Sequence, residues 1–146
     1  MKVEIDIDEK YTDTGVVIHA PRLTQDIEKM VAMMRMLNMQ IAVTKKDETF
    51  LLETDKILYI EAIDRKTFVY TEDDMYESQL KLYEIEQELY EHDFLRISKQ
   101  GIVNLKMIKS LKADIDRKIK VTLKNGEQIL VSRMYSDDLR RKLGLK

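Results

Sequence analysis

From Gln40 onward the chain is a succession of short apolar segments separated by polar turns, a pattern that sets what it can fold into. Ile41 to Thr44, Thr49 to Leu52, Ile57 to Ile63 and Thr67 to Thr71 are rich in β-branched and aromatic residues, which fit a pleated, half-buried surface. Phe94 to Ile97, Ile108 to Ile115, Ile119 to Leu123 and Gln128 to Ser132 continue the series, and Ser98 to Gly101 is a tight segment. Asp64, Arg65 and Lys66 form a polar tip between two of the strands. Asn125 and Gly126 join the last two, a strong hairpin signal because both residues tolerate positive φ. One helix interrupts the pattern, from about Glu77 to Glu91. Leu82, Ile85 and Leu89 share one face, Tyr76, Leu80 and Tyr83 lie beside them, and Glu84, Glu86, Glu88 and Glu91 form the solvated side. A short basic helix, about Ser136 to Leu143, ends the chain. The expected fold over residues 40–146 is therefore mostly β, with one helix inside it and another at its end.

Residues 1–39 read differently. Val3, Ile5 and Ile7 alternate with Glu4, Asp6 and Asp8, the period of a half-buried strand. Val16 to Ala20 is a second short apolar run, ended by Pro21. Thr24 can cap a helix on which Leu23, Ile27, Met30, Met34 and Leu37 share a face. A small α+β unit of two strands and a helix is expected, too small for confident stability alone. Five methionines, Met30, Met33, Met34, Met36 and Met39, fall close together. Met33 and Met36 point away from the Leu23–Ile27–Met34 face. The cluster reads either as core or as an adaptable surface for a partner or a second copy.

Composition excludes much chemistry. Hydrophobic residues make up 44% of the 146 residues and charged residues 36%, enough apolar material for a core and too much for wholesale disorder. With no Cys, disulfide scaffolds, thiolate metal sites and a Cys nucleophile are out. No apolar run approaches the roughly 18 residues of a membrane span, and the acidic start is unlike a signal peptide. The chain reads as soluble and cytoplasmic. His19 and His92 lie far apart without metal-ligand spacing, and no phosphate loop, nucleophile elbow or paired general acid and base is present. Neither a catalytic site, nor a cofactor, nor a metal, nor a small-molecule substrate is expected.

Charge is distributed unevenly. Residues 1–92 carry 11 basic and 21 acidic side chains, and residues 93–146 carry 14 basic and 6 acidic, so a net of −10 is followed by +8. Such an asymmetry suits a polyanion at the C-terminal third. Arg65 and Lys66 at a hairpin tip, Arg96 and Lys99 at a strand end, and Arg133 after the last strand are placed to meet phosphates or guanine edges. Lys106, Lys109, Lys112, Lys118 and Lys120 alternate along strands and read as solvent-facing. No helix-turn-helix, zinc-finger or aromatic RNA-stacking pattern is present.

Three segments resemble a known family. Ile57-Leu58-Tyr59-Ile60-Glu61-Ala62 is similar to the opening signature of the LytTR DNA-binding domain. Phe94-Leu95-Arg96-Ile97-Ser98-Lys99-Gln100-Gly101-Ile102-Val103-Asn104 resembles its central signature. Leu123-Lys124-Asn125-Gly126-Glu127 followed by Val131-Ser132-Arg133 resembles its C-terminal one. The resemblance covers about Gln40 to Leu143. It implies an elongated fold of small stacked β-sheets that reads double-stranded DNA through loops in the major groove, at paired promoter repeats, as a bacterial transcription regulator. Carried over by position, the DNA-facing residues are Arg65, Lys66 and Thr67, then Arg96, Ser98, Lys99 and Gln100, then Arg133 and Met134. Asn104 matches the family's Asn, with the expected role of holding its loop by hydrogen bonds to backbone. Residues 1–39 are too few for a phosphoreceiver domain, which resembles the stand-alone branch whose members are often restrained by a membrane protein. That segment, with five basic against seven acidic residues, is expected to mediate homodimerisation or to dock such an inhibitor through Met33, Met36 and Met39. The alternative is a protein-interaction module whose basic sheet binds an acidic partner.

Overall fold

The structure is a computed structural model that describes residues 1–37, 39–90 and 92–145, with the side chains of 32, 33 and 35–37 left out. It divides into two compact units, Met1–Met34 and Arg35–Lys146. In the first, helix α1 spans Gln25–Leu37 and starts as expected at Thr24, whose Oγ1 accepts from Ile27 N at 3.3 Å. The two strands expected before it do not form. Val3, Ile5 and Ile7 are 76%, 81% and 90% exposed, and no strand precedes Gln40 among the described residues. Alternation predicts a strand only where a partner backbone takes its N–H and C=O groups, and none pairs with this segment. Met33 and Met36, assigned a partner-facing role from sequence, have side chains outside the described residues; Met39, assigned the same role, instead packs partly buried against the core of the second unit.

The second unit contains β1 (Gln40–Lys45), β2 (Glu48–Glu53), β3 (Ile57–Ile63), β4 (Lys66–Thr71), β5 (Met75–Ser78), α2 (Leu82–Leu89), β6 (Phe94–Ser98), β7 (Gly101–Asn104), β8 (Ile108–Ala113), β9 (Ile119–Leu123), β10 (Gln128–Val131) and α3 (Arg133–Lys142). One seven-stranded antiparallel sheet runs β2-β1-β5-β4-β3-β7-β6, and a three-stranded one runs β10-β9-β8. The mostly β, stacked-sheet expectation is met. Three boundaries differ from the sequence reading. Met75–Ser78 is a strand, not the approach to a helix, because it pairs with both β4 and β1, and α2 begins only at Leu82, where Glu84 Oε1 accepts from Lys81 N at 3.1 Å. Gly101–Asn104 is a strand buried throughout, so it has no alternation to detect. The last helix begins at Arg133, three residues earlier than expected.

Adjacent residues of the central strands feed two separate cores. Ile57, Ile60, Val69 and Ile102 pack with Leu82, Ile85 and Leu89 of α2. Leu58 and Val103 pack on the opposite face with Ile119, Val121, Leu123 and Val131 of the smaller sheet and Leu139 of α3. A register shift between Ile57 and Tyr59 inserts one residue into β3, which lets Ile57 and Ile60 share a face although three positions apart. Tyr59 stacks on Tyr70 at 4.4 Å between centroids. Burial, and after it the Glu127 carboxylate, holds the Tyr59 hydroxyl protonated far above the usual phenol range.

Asn104 behaves as expected from sequence. It is 1% exposed, donates from Nδ2 to Ile57 O at 2.8 Å and accepts at Oδ1 from Lys106 N at 3.1 Å. Removing the amide leaves a buried carbonyl and a loop N–H without partners. Asn104→Ala is therefore expected to lower unfolding free energy by about 1–3 kcal/mol, measured by urea denaturation.

Candidate nucleic-acid interface

Three segments meet at one end of the large sheet. The first is the β3–β4 turn. Ile63 faces Lys66 across a two-residue loop, in which Asp64 (φ 49°) and Arg65 (φ 68°) are both left-handed. Two successive positive φ values give the hairpin twist that matches paired strands, at a cost of roughly 1–2 kcal/mol for each non-glycine residue. Arg65 and Lys66 are exposed at this tip, whereas Thr67 is 6% exposed. Thr67, carried over as DNA-facing, is turned into the protein because side chains alternate along β4.

The second segment is the β6–β7 turn, where Ser98 faces Gly101 and Lys99 and Gln100 stand exposed between them. Its shape is held by Arg96, whose Nε donates to Ser98 O at 2.8 Å and whose Nη2 donates to Lys99 O at 2.6 Å. Nη1 bonds Glu86 Oε2 of α2 at 2.9 Å. The guanidinium, expected from sequence to reach DNA, is instead committed to the turn. Ser98 Oγ accepts from Gln100 N at 3.2 Å. A side chain at Gly101 would come within 3.1 Å of that oxygen and 3.3 Å of Ile97 Cγ1, so a larger residue here requires Ser98 and Ile97 to give by a few tenths of an ångström.

The third segment is Ser132-Arg133-Met134. Ser132 N donates to Ile97 O at 2.9 Å, and Ser136 Oγ bonds Ser132 O at 2.9 Å, which seats the first turn of α3 beside the end of β6. Arg133 and Met134 are exposed in that turn. Two backbone bonds join the three segments into one rim: Ser132 N to Ile97 O, and Ala62 N to Gln100 O at 2.8 Å. The rim displays Arg65, Lys66, Lys99 and Arg133 against the exposed carboxylate of Asp64, while Glu86 is already paired. Of the residues singled out from sequence, Arg65, Lys66, Lys99, Gln100, Arg133 and Met134 are displayed together; Arg96 and Ser98 build the turn behind them, and Thr67 is buried.

The strand lysines are dispersed elsewhere. Lys106 pairs with Asp93 at 3.4 Å, Lys109, Lys112 and Lys120 are exposed, and Lys118 is half-buried. Two things escaped the sequence reading: the Arg96–Glu86 pair, which joins elements ten residues apart, and the left-handed backbone at Arg65, which a basic residue gives no reason to expect.

Residues 47–144 match the model of the LytTr DNA-binding domain. The chain belongs to the LytTR family. Its fold superposes on the LytTr DNA-binding domain of a Bacillus cereus protein with a TM-score of 0.69 and 29% identity, covering 73% of this chain and 97% of that one. Relatives from Staphylococcus aureus strains MSSA476 and NCTC 8325, both named as HTH-type transcriptional regulators, are 25% and 24% identical, each over 99% of both chains. In this LytTR chain no two helices are consecutive among the described residues; strands separate α1, α2 and α3. The "HTH-type" of those names therefore does not describe its fold.

The left-handed Arg65 yields a test of the site's construction. Glycine there removes the backbone penalty, so Arg65→Gly should raise unfolding free energy by about 0.5–1 kcal/mol. Urea denaturation of the variant beside the wild type measures it, and an unchanged or lowered midpoint contradicts the strain.

Proposed function

We propose that this LytTR chain is a transcription regulator that binds double-stranded DNA at paired promoter repeats, inserting its rim of loops into the major groove. The observation that carries the reading is the joining of three turns by Ala62 N–Gln100 O and Ser132 N–Ile97 O, which gathers exposed Arg65, Lys66, Lys99 and Arg133 at one end of a rigid sheet. Cations on short turns meet phosphates, and the long side chains among them reach base edges. In this reading Lys99, Gln100 and Arg133 discriminate sequence, Arg65 and Lys66 contact the backbone, and Arg96 and Ser98 position the middle turn without touching DNA. Met134, 72% exposed, offers an apolar contact of the kind a thymine methyl accepts.

A unit of Met1–Met34 with more acidic than basic residues stays off the DNA in this reading and is the segment left for a restraining membrane protein. The names of the relatives support a regulatory role.

Selection of bound fragments from a random duplex library supplies the preferred site. On it, Lys99→Ala or Arg133→Ala should cost roughly 1–3 kcal/mol and flatten sequence preference, while Arg65→Ala should weaken specific and random DNA alike and reduce the salt slope by about one. Uniform loss for Lys99→Ala or Arg133→Ala would make that residue a phosphate contact only. No binding to any duplex at low salt would leave the basic sheet to an acidic protein partner.

A further inference from the structure

Among the described residues, two successive non-glycine residues adopt positive φ at three tips: Lys46–Asp47, Asp64–Arg65 and Asp116–Arg117. The second belongs to the rim. The first lies at the opposite end of the large sheet, because β1 runs antiparallel to β5 and β5 antiparallel to β4. The third, in the β8–β9 loop, stands at the rim end of the small sheet. β8 and β9 pair as far as Ala113 with Ile119, and Ile119 in turn faces Val131 of β10. Val131 precedes Ser132, whose N–H bonds Ile97 O. Residues 114–118 therefore leave the small sheet from the same rung as the Ser132-Arg133-Met134 segment, and Ile115–Arg117 lies against α3. Arg117 is two residues from Ile119, and Arg133 is two residues from Val131. At roughly 3.5 Å per residue and about 5 Å between paired positions, their Cα atoms stand within about 20 Å of each other.

This loop is held firmly and covered by little. Lys118 N donates to Ile115 O at 3.2 Å, which closes a turn over the left-handed Asp116 and Arg117. Asp114 N donates to Lys118 O at 2.8 Å, and Asp114 Oδ1 accepts from Ile115 N at 2.8 Å. Yet Ile115 is 76% exposed, and Asp116 and Arg117 are exposed beside it. A braced turn whose large apolar side chain stays outside does not serve the core. Arg117 has no ion-pair partner among the described residues. The Asp114 carboxylate is engaged with Ile115 N, so Asp116 is the adjacent counter-charge, as Asp64 is beside Arg65. The same Asp–Arg tip, in the same backbone conformation, thus projects once from each sheet at one end of the unit.

We propose that Arg117 is a fourth point of DNA contact, a phosphate-binding cation that the small sheet sets beside Arg133. The proposal rests on the DNA-binding reading above and adds to it a loop outside the three signature segments. The major groove is about 12 Å wide. A cation displayed beside a turn that enters the groove faces the phosphates of the strand bordering it. Contacts of that kind fix register and carry no sequence information, so Arg117 contributes affinity and holds the small sheet in place while Arg133 reads bases.

Salt-dependent binding of the full-length chain to its selected site and to random duplex tests this. Arg117→Ala keeps a Cβ at the left-handed position, so its urea midpoint should match the wild type. It should weaken binding to both duplexes alike, and its deficit should shrink by about 3.5-fold between roughly 50 and 200 mM salt, the signature of one lost phosphate contact. Arg117→Lys should restore the salt slope. Lys109→Ala, the same charge change at the other end of β8, should leave the slope as it is. A wild-type chain that binds no duplex at low salt removes the DNA-binding reading and this contact together. Where the wild type binds, an unaltered slope for Arg117→Ala, an equal change for Lys109→Ala, or a loss confined to the selected site overturns the phosphate contact alone.

Discussion

Everything in the larger unit rests on a sheet whose central strands are buried on both faces. β3 and β7 send Ile60 and Ile102 toward α2 and Leu58 and Val103 toward the smaller sheet. A slip of one residue would exchange the two sets, so register is pinned from both sides at once. The inserted residue in β3 and the Asn104 amide on Ile57 O fix the strand where the two cores must be matched. A single buried side chain thus sets the ends of β3 and β7, and with them the turns at the far end of the same strands.

The candidate interface is positioned by that arrangement. The turns carrying Arg65 and Lys99 belong to the two most buried strands, and the third segment is fastened to Ile97 O. A constellation on loops is ordinarily imprecise; here each loop is two residues long or lies at a helix start, with both ends in hydrogen-bonded structure. Arg96 illustrates the economy. Its charge neutralises Glu86 while two of its N–H groups hold the turn carbonyls, so a cation close to the rim serves as a brace and frees Lys99 to extend outward.

The β1–β2 hairpin is attached to the sheet by fewer backbone pairs, although Ile41 and Val43 of β1 pack in the core beside α2. This hairpin joins the sheet through a short pairing of β1 with β5, reinforced by Lys45 on Asp74 at 2.5 Å. That carboxyl sits below its usual range, chiefly because of the hydrogen bond from Lys45. The pairing with β5 lies at the turn end of the hairpin, while β2 forms one edge of the sheet with Leu51 exposed.

Much of this was legible in the residues themselves. Period-two and β-branched segments marked eight of the ten strands seen among the described residues, the Thr24 cap marked α1, and three family signatures marked the segments that lead to the rim. The sequence could not mark β5 or β7, because one borrows its strand conformation from two neighbours and the other is buried on every side chain. Nor could it refuse the strands expected before Pro21, since alternation describes one chain and a strand requires two. The role of Arg96 was likewise out of reach: a guanidinium beside a turn reads as a ligand contact until Glu86 is brought to it by α2. Local pattern and chemistry determined the elements and the residue types at the interface. Tertiary pairing alone decided which cations face outward, which brace the turns, and which edge was left open, because each depends on groups distant in the chain that only packing brings within hydrogen-bond range.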